Sequence, residues 1–266
     1  MDALLNVSGL NKHFGGLHAI KNIDCELQQG EMRAVIGPNG SGKSTFFNLL
    51  SSIYPVDSGT ITFDGHDITD WEPHRIAEAG VARTFQLLRM FTEMSVLDNL
   101  RIGHHCHVRY GTFAGLFGTG QVAAEEKRIL EEMIEILELI GLADFAHIPA
   151  SEMSIGQRRL LAMGRSIAMR PKLLLLDEPA AGLSPVNVDN LMIIMMILKK
   201  RFDLTIVIVE HILKVVMDTC DRISVLDHGE KIAEGTPQEV SNDHAVIEAY
   251  RGREMSDEQV KELLAV

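Results

Sequence analysis

The chain has 266 residues, 46% of them hydrophobic and 23% charged, a balance typical of a globular protein with one large core or two small ones. Its 25 basic and 37 acidic residues give a net charge of -12, so binding to nucleic acid through the phosphates is not expected. The three cysteines are scattered and odd in number, which excludes a disulfide framework and favours a reducing compartment.

No membrane-spanning segment is predicted. The longest uninterrupted apolar run has eight residues, Leu191 to Leu198, whereas a bilayer span needs about 20. The chain begins without a basic region followed by an apolar core, so no signal peptide is predicted either. Docking on a membrane protein remains compatible with this pattern.

The first third of the chain has the pattern of a β-rich lead-in over residues 3–35, followed by mixed elements. Strands are predicted at Leu4–Val7, Ile23–Leu27, Arg33–Ile36, Ile61–Phe63 and Val81–Gln86, and helices at Phe46–Leu50 and Arg75–Ala79. Residues 92–165 then change to helical patterns, of which the clearest runs from Ala124 to Ile140. Gly141 is the expected stop of that helix.

The last third of the chain returns to a sheet pattern. Leu173–Leu176 and Thr205–Val209 are continuous apolar runs, typical of parallel strands that are covered on both faces. A helix predicted over Asn187–Arg201 lies between them, which makes a βαβ unit. Strands at Ile223–Leu226 and Lys231–Ala233 close the sheet through a turn at residues 228–229, and a charged helical tail follows from residue 241.

The most informative stretch is the phosphate loop, Gly37–Thr45, which lies between a predicted strand and a predicted helix. Four residues separate Gly37 from Gly42, and Lys43 and Ser44 follow directly. This context is typical of a cradle for phosphates, because the loop N–H groups and the start of the helix converge on an anion. Lys43 is expected to reach the β- and γ-phosphates, and the Ser44 hydroxyl to bind Mg²⁺. The nucleotide-binding residues predicted here are Asn39, Gly40, Ser41, Gly42, Lys43, Ser44 and Thr45.

Two adjacent carboxylates, Asp177 and Glu178, end the apolar run that starts at Leu173. Ligands of open α/β sheets bind at this carboxyl edge of the strands. Because neighbouring strand residues point to opposite sides, the two need not share a role. Asp177 is predicted to serve Mg²⁺, and Glu178 to orient and polarise a water aimed at the γ-phosphorus.

Two further polar residues also end predicted strands. Gln86 is predicted to touch the metal or the attacking water, and His211 to contact the γ-phosphate. The segment that follows Gln86, Leu87–Phe91, is unusually apolar for a connection. It is either a buried corner between subdomains or, as the family resemblance given below implies, a groove that receives a short helix from the membrane subunit, and the two are compatible.

A second potential anion site opens the helix predicted over Ser154–Met169. The signature segment, Ser154–Gln157, combines a possible N-cap, Ser154, with Gly156 at the start of the helix. One nucleotide does not need two such sites, so an anion-binding role for this one requires that it face the nucleotide of another subunit. From the residues alone, an ordinary capped helix remains the favoured interpretation.

Together these motifs resemble ATP-binding cassette (ABC) ATPases over nearly the whole chain. The resemblance implies that Phe14 stacks on adenine, that Gln86 is the Q-loop and that His211 is the switch histidine. Ser154, Gly156 and Gln157 would be the nucleotide-binding part of the signature. It further implies ATP and Mg²⁺ as cofactors, and a head-to-tail dimer in which each nucleotide lies between one phosphate loop and the partner's signature.

A closer resemblance is to the ATPase subunits of branched-chain amino acid importers. It rests on Val81–Gln86, on Glu178–Leu183 and on the glycine-rich insert at residues 110–120. It implies a second, distinct ATPase subunit, two membrane-spanning permease subunits and, indirectly, a solute-binding protein, with the chain peripheral on the cytoplasmic face of the inner membrane. The sequence departs from the general ABC pattern at Phe14, Ile155 and Ser184.

The predicted fold is α/β, a P-loop NTPase (ABC ATPase) core with an antiparallel β subdomain and an inserted helical subdomain near 92–165. Residues 1–240 are predicted to form one ABC ATPase domain and 241–266 a helical tail. The predicted function is ATP hydrolysis that powers import of a small solute. The alternatives are a soluble ABC ATPase that remodels a cytoplasmic complex and a regulatory subunit with little turnover; the intact Glu178 and His211 argue against the second.

Overall fold

The computed structural model describes residues 3–84, 90–105 and 120–251. Within these residues it contains two sheets, and helices cover one face of the larger. The strands are β1 Leu5–Phe14, β2 Leu17–Leu27, β3 Met32–Ile36, β4 Ser58–Phe63, β5 His66–Asp67, β6 Val81–Arg83, β7 Leu173–Asp177, β8 Thr205–Val209, β9 Arg222–Asp227 and β10 Glu230–Gly235. The helices are α1 Lys43–Leu50, α2 Pro73–Ala79, α3 Val96–His104, α4 Gly120–Leu139, α5 Ile155–Ala168, α6 Pro185–Phe202, α7 Leu213–Thr219, α8 Pro237–Ser241 and α9 His244–Arg251, with 3₁₀ turns at Ala143–Phe145 and Ala150–Glu152.

The smaller sheet is antiparallel, with strand order β2-β1-β4-β5. The prediction of an antiparallel lead-in is confirmed, but β1 and β2 are longer than their sequence pattern indicates. Their register shifts three times between Val7 and His13. Each shift interrupts the alternation of buried and exposed side chains, so a pattern with a period of two does not extend over the whole strand.

The larger sheet has the order β10-β9-β3-β8-β7-β6 and is parallel except for the β9–β10 hairpin. Every residue of β3, β7 and β8 is buried, as the continuous apolar runs predict. Strand β6 ends at Arg83, three residues earlier than predicted. The carboxyl ends of β3, β6, β7 and β8 therefore meet at one edge of the sheet.

Strand β7 separates two hydrophobic cores. Leu174 and Leu176 pack with the helices α3 to α6 on one face of the sheet. Leu173 and Leu175 pack on the other face with α1 and the antiparallel sheet. This alternation along one strand places both cores against the same strand and holds its carboxyl end between them.

The region 92–165 is helical in its described part, where α3 packs against α4 and α5. Gly103 allows α3 to approach α5 closely, because a Cβ at Gly103 would lie 2.3 Å from the Arg165 carbonyl oxygen. Helix α7 was not predicted from the sequence. Among the described residues, no helix is both long and apolar enough to span a bilayer.

Candidate nucleotide-binding site

The phosphate loop leaves β3 and turns directly into α1. Gly37 has a φ of 146°, and a Cβ there would lie 2.0 Å from the Leu226 carbonyl oxygen, so only glycine fits this position. Gly42 has a φ of 108° and precedes the helix as its N-cap. Helix α1 begins at Lys43, three residues before the predicted start, so Lys43, Ser44 and Thr45 form its first turn. Their N–H groups are among those that have no acceptor within a helix.

The Lys43 ammonium lies inside the curve of the loop. Its Nζ donates hydrogen bonds to the carbonyl oxygens of Gly37, at 2.8 Å, and Pro38, at 2.9 Å. The Ser41 hydroxyl is buried and has no hydrogen-bond partner among the described residues. Apart from Gly40 and its two chain neighbours, no atom of the described residues lies within 4 Å of the position that a Cβ of Gly40 would occupy. The loop is therefore a closed turn around a buried cation, with open space at its tip.

An open cavity of about 560 Å³ lies against this loop. It brings together residues from distant parts of the chain, and most of the predicted site residues line it. The lining residues predicted from the sequence are Phe14, Asn39, Gly40, Gly42, Lys43, Ser44, Thr45, Glu178 and His211. We call it the phosphate-loop cavity; its volume is in the range of small-molecule sites.

Phe14 is positioned by the β1–β2 hairpin. It ends β1, and the glycines of the following turn lead into Leu17, which starts β2. The Phe14 ring is 41% exposed and meets Tyr54 edge to face, with 5.1 Å between ring centroids. An exposed aromatic ring of this kind has surface available for contact with another ring.

Asp177 and Glu178 have different surroundings, as their adjacent positions predict. Asp177 is buried, and its Oδ2 accepts a hydrogen bond from Nη2 of Arg83 at 2.8 Å. Glu178 has a φ of 49°, which turns the chain away from β7. Its Oε1 lies 2.6 Å from Nε2 of His211, which follows the end of β8. This pair lines the phosphate-loop cavity, whereas Asp177 does not.

The oxygen donors near the loop fit a magnesium ion. Mg²⁺ is bound in proteins by one or two oxygen side chains together with substrate phosphates. The Ser44 hydroxyl lines the cavity, and the Asp177 carboxylate ends β7, the second strand from β3 in the same sheet. Arg83 pairs with one of the two Asp177 oxygens, Oδ2, and so compensates part of the carboxylate charge.

Arg83 connects Asp177 to helix α1 and was not predicted. Its Nη1 donates to Asn48 Oδ1 at 2.7 Å and to Ser51 Oγ at 2.9 Å. The sequence offered only a weak signal, a basic residue inside a short apolar strand. That signal does not identify a partner 94 residues away.

Glu210 and Arg159 are two further residues that the sequence analysis missed. Glu210 is 2% exposed, and its carboxylate accepts the N–H of Ala180 at 2.6 Å and that of His211 at 3.0 Å. Burial raises the pKa of the Glu210 carboxyl above its ordinary value, and these main-chain hydrogen bonds only partly oppose the rise. Arg159 donates to the carbonyl oxygens of Glu178 and Pro179.

The signature segment lies in a different place from the phosphate-loop cavity. Ser154 caps α5 in a capping box, in which Ser154 N–H donates to Gln157 Oε1 at 2.9 Å and Gln157 N–H donates to Ser154 Oγ at 3.3 Å. Ser154, Gly156 and Gln157 line a separate groove of about 340 Å³ beside α6, here called the signature groove. Ile155 is 65% exposed. The capped helix is therefore confirmed, and the described residues do not bring it to the chain's own phosphate loop.

Gln86 and most of the apolar segment after it lie outside the described residues, so both stay predictions. The cavity contains other residues that the sequence analysis did not identify. His18 and Lys21 from β2 line it on one side, and His228 lines it from the β9–β10 turn. Their signal is weak, because each is an isolated polar residue and only the packing of two hairpins brings them together.

The fold and the cavity define a P-loop nucleotide-binding protein, and comparisons with known proteins identify the family. The family model described as "ABC transporter" matches residues 20–181, and one described as "Branched-chain amino acid ATP-binding cassette transporter" matches residues 230–250. The chain belongs to the ABC transporter family, as an ATP-binding subunit with ATPase activity.

Individual relatives agree with this assignment over almost their full length. BraF of Pseudomonas aeruginosa, a high-affinity branched-chain amino acid transport ATP-binding protein, is 39% identical over 94% of this chain and 98% of its own. LivG of Salmonella typhimurium, with the same description, is 40% identical over the same shares. The ADP conformation of an ATP-binding cassette of an ABC transporter superposes with a TM-score of 0.80 at 33% identity, over 95% of this chain and 100% of that one.

Proposed function

We propose that this chain hydrolyses ATP to power the import of branched-chain or related amino acids. The observation that carries the hydrolytic part is the 2.6 Å contact between Glu178 and His211, on the wall of the cavity that the phosphate loop forms. The solute class is supported by the relatives, which are described as branched-chain amino acid transport ATP-binding proteins at 39% and 40% identity.

Each predicted residue then has a defined role. Lys43 and the amides of the first turn of α1 hold the β- and γ-phosphates, and Phe14 stacks on the adenine. Glu178 accepts a proton from the attacking water. His211 holds the Glu178 carboxylate in position and contacts the γ-phosphate, and Gln86 contacts the metal and the water.

We infer that Mg²⁺ is bound with the nucleotide by Ser44 and Asp177. When it is bound, the ion neutralises charge that develops on the phosphates during transfer. Arg83 holds one Asp177 oxygen, at 2.8 Å, so the carboxylate has a fixed direction before the nucleotide arrives. Fixed ligands of this kind lower the cost of organising a site.

The active form is proposed to be a dimer of cassettes. Ser154, Gly156 and Gln157 line a groove that shares no described residue with the phosphate-loop cavity. A second ATPase subunit, a paralogue or a copy of this chain, would bring its own signature to this cavity. Residues 1–240 would form the ATPase domain, with 92–165 as its helical subdomain, and 241–266 the tail.

The proposed assembly places this dimer beneath two membrane-spanning permease subunits on the cytoplasmic face of the inner membrane, where a solute-binding protein delivers the solute. Affinity purification of the tagged chain from detergent-extracted membranes tests the assembly. The same purification from the cytoplasmic fraction is the control. Recovery with permease subunits is the expected result. Recovery only without membrane proteins would favour a remodelling ATPase of the cytoplasm.

Transport itself is tested by uptake of radiolabelled leucine in cells that lack the chain and are complemented with it. Wild-type chain is expected to restore uptake, and Glu178→Gln is expected not to do so although it is made in equal amount. Uptake of a radiolabelled sugar by the same cells controls for a general effect on transport. Uptake of leucine at the same rate without the chain would contradict the assigned solute.

A further inference from the structure

The main chain immediately after β7 carries the proposed catalytic base, and it leaves the strand in an unusual conformation. Glu178 has a φ of 49°, in the left-handed region that favours glycine. Its N–H still donates to Val209 O of β8 at 2.8 Å. Where the Glu178 side chain points is therefore decided by how residues 178–180 are held.

Arg159 holds this segment from the side of the signature helix. It is on α5, five positions after the Ser154 cap. Its Nη1 donates to the Glu178 carbonyl oxygen at 2.8 Å and to the Pro179 carbonyl oxygen at 3.1 Å. Both hydrogen bonds go to main-chain oxygens, so the guanidinium acts on the path of the chain at Glu178.

Glu210 holds the same segment from the end of β8. Its Oε1 accepts the Ala180 N–H at 2.6 Å, and its Oε2 accepts the His211 N–H at 3.0 Å. Residues 178–180 are therefore connected to the signature helix by a cation and to the His211 segment by a buried anion. Hydrogen bonds to charged groups are the stronger kind, which suits a rigid connection.

We propose that Arg159 is a positioning residue for Glu178, which links the signature helix of a chain to the catalytic carboxylate of the same chain. The proposal rests on the proposed function, in which the signature faces the nucleotide of the partner. A displacement of α5 on contact with that nucleotide would then move the main chain at Glu178. Nucleotide bound at the partner's phosphate loop would thus affect Glu178 at this chain's own phosphate loop.

The test compares Arg159→Met, Arg159→Gln and Arg158→Met with wild type, in the complex extracted from membranes. Arg158 is the matched control, because it is the neighbouring arginine on the same helix and its Nη2 donates to Ser151 O instead, at 2.7 Å. The measurements are kcat and KM for ATP, and hydrogen exchange of the amides of Glu178 and of residues 180–182, since Pro179 has no N–H.

Arg159→Met is expected to lower kcat about tenfold or more, to leave KM for ATP within about threefold, and to speed exchange of these amides, because ordering of the base and not affinity for ATP is lost. The kcat of Arg159→Gln, which can still donate to one carbonyl, is expected to lie between those of wild type and Arg159→Met. The kcat of Arg158→Met is expected to stay within about twofold of wild type.

Wild-type kcat in Arg159→Met, or an equal change in KM and kcat, would overturn the proposal. If Arg159→Met does not fold, wild-type kcat and exchange in Arg159→Gln would overturn it. A wild-type complex that does not hydrolyse ATP would instead refute the proposed function, and the exchange rates would still decide whether Arg159 holds residues 178–180.

Discussion

At the scale of single residues, Glu178 has the largest consequence for the proposed function. Its carboxylate meets His211 at 2.6 Å on the wall of the phosphate-loop cavity, and the proposed mechanism makes it the base for the attacking water. Neighbouring Asp177 is buried against Arg83 and does not share this environment. The two adjacent carboxylates therefore cannot replace each other.

The first prediction is that Glu178→Gln keeps ATP binding and lowers the hydrolysis rate by at least 100-fold. The amide retains the shape of the side chain but cannot accept the proton of the attacking water. The measurements are binding of a fluorescent ATP analogue and release of phosphate. Glu131→Gln, on the exposed surface of α4, is the control. Steady turnover of Glu178→Gln at the wild-type rate would refute the assigned base.

The second prediction concerns the pH dependence of stability and Asp57. Hydrogen bonds from Lys12 Nζ, at 2.7 Å, and from the His13 N–H, at 2.6 Å, lower the pKa of Asp57 to about 2. A carboxyl group whose pKa is lower in the folded state stabilises the fold above its unfolded pKa of 3.8, and this contribution is lost as the pH falls through about 2.

Wild type is therefore expected to have a higher Tm than Asp57→Asn above pH 4, and the difference should shrink as the pH is lowered from 4 to 2. Lys12→Met removes the largest cause of the lowered pKa of Asp57. It is therefore expected to flatten the dependence of Tm on pH between pH 4 and pH 2. Thermal unfolding at a series of pH values provides the measurement. A constant difference in Tm over this range would contradict the assignment.

At the scale of elements, the start of α5 is the place of two roles that the sequence presented as alternatives, an ordinary helix cap and the proposed recognition of a partner's nucleotide. The Ser154 capping box satisfies N–H groups at the helix start, as in any capped helix. The same residues line the signature groove, away from the chain's own phosphate loop. Helix capping and recognition of a partner's nucleotide are therefore compatible, because they use the same end of the helix.

The third prediction separates these two properties. Ser154→Ala is expected to lower the free energy of unfolding by about 1 kcal/mol, the usual cost of losing an N-cap, and also to lower ATP hydrolysis. Thr236→Ala removes the equivalent capping box of α8 and is expected to cost a similar amount without affecting hydrolysis. Denaturant unfolding and phosphate release are the two measurements. Equal hydrolysis by both variants would show that Ser154 is only a cap.

At the scale of the whole molecule, β7 joins the two hydrophobic cores. Leu175 and Leu176 are both fully buried, yet they belong to the cores on opposite faces of the sheet. A change in either core therefore acts on one strand, and that strand ends at Asp177, directly before Glu178. The cores are expected to unfold together for this reason.

The fourth prediction is that Leu175→Ala and Leu176→Ala each lower the free energy of unfolding by about 2–5 kcal/mol, in a single transition. Trp71, the one tryptophan of the chain, packs on the core of Leu175, so its fluorescence reports on that face, while circular dichroism reports on all helices. The half-exposed Leu130 is the control, and Leu130→Ala should change stability by less than about 0.5 kcal/mol. Separate midpoints for the two signals in Leu176→Ala would contradict a shared transition.

The sequence alone determined the phosphate loop, the parallel strands around it and the positions of Glu178 and His211 at strand ends. These features can be predicted locally, because a glycine-rich loop, an apolar run and the end of a strand can each be recognised from a few neighbouring residues. The antiparallel lead-in was also predictable, although its bulges concealed the full length of β1 and β2.

Only the tertiary structure decided which side chains hold the predicted ones in place. Arg83 reaches Asp177 across 94 positions, Glu210 reaches Ala180 across 30, and Arg159 reaches Glu178 across 19. No local pattern contains such pairings, because they arise when β6, β7, β8 and α5 pack around one edge of the sheet. The chemistry of the site follows from short motifs, and its rigidity follows from the packing between distant elements.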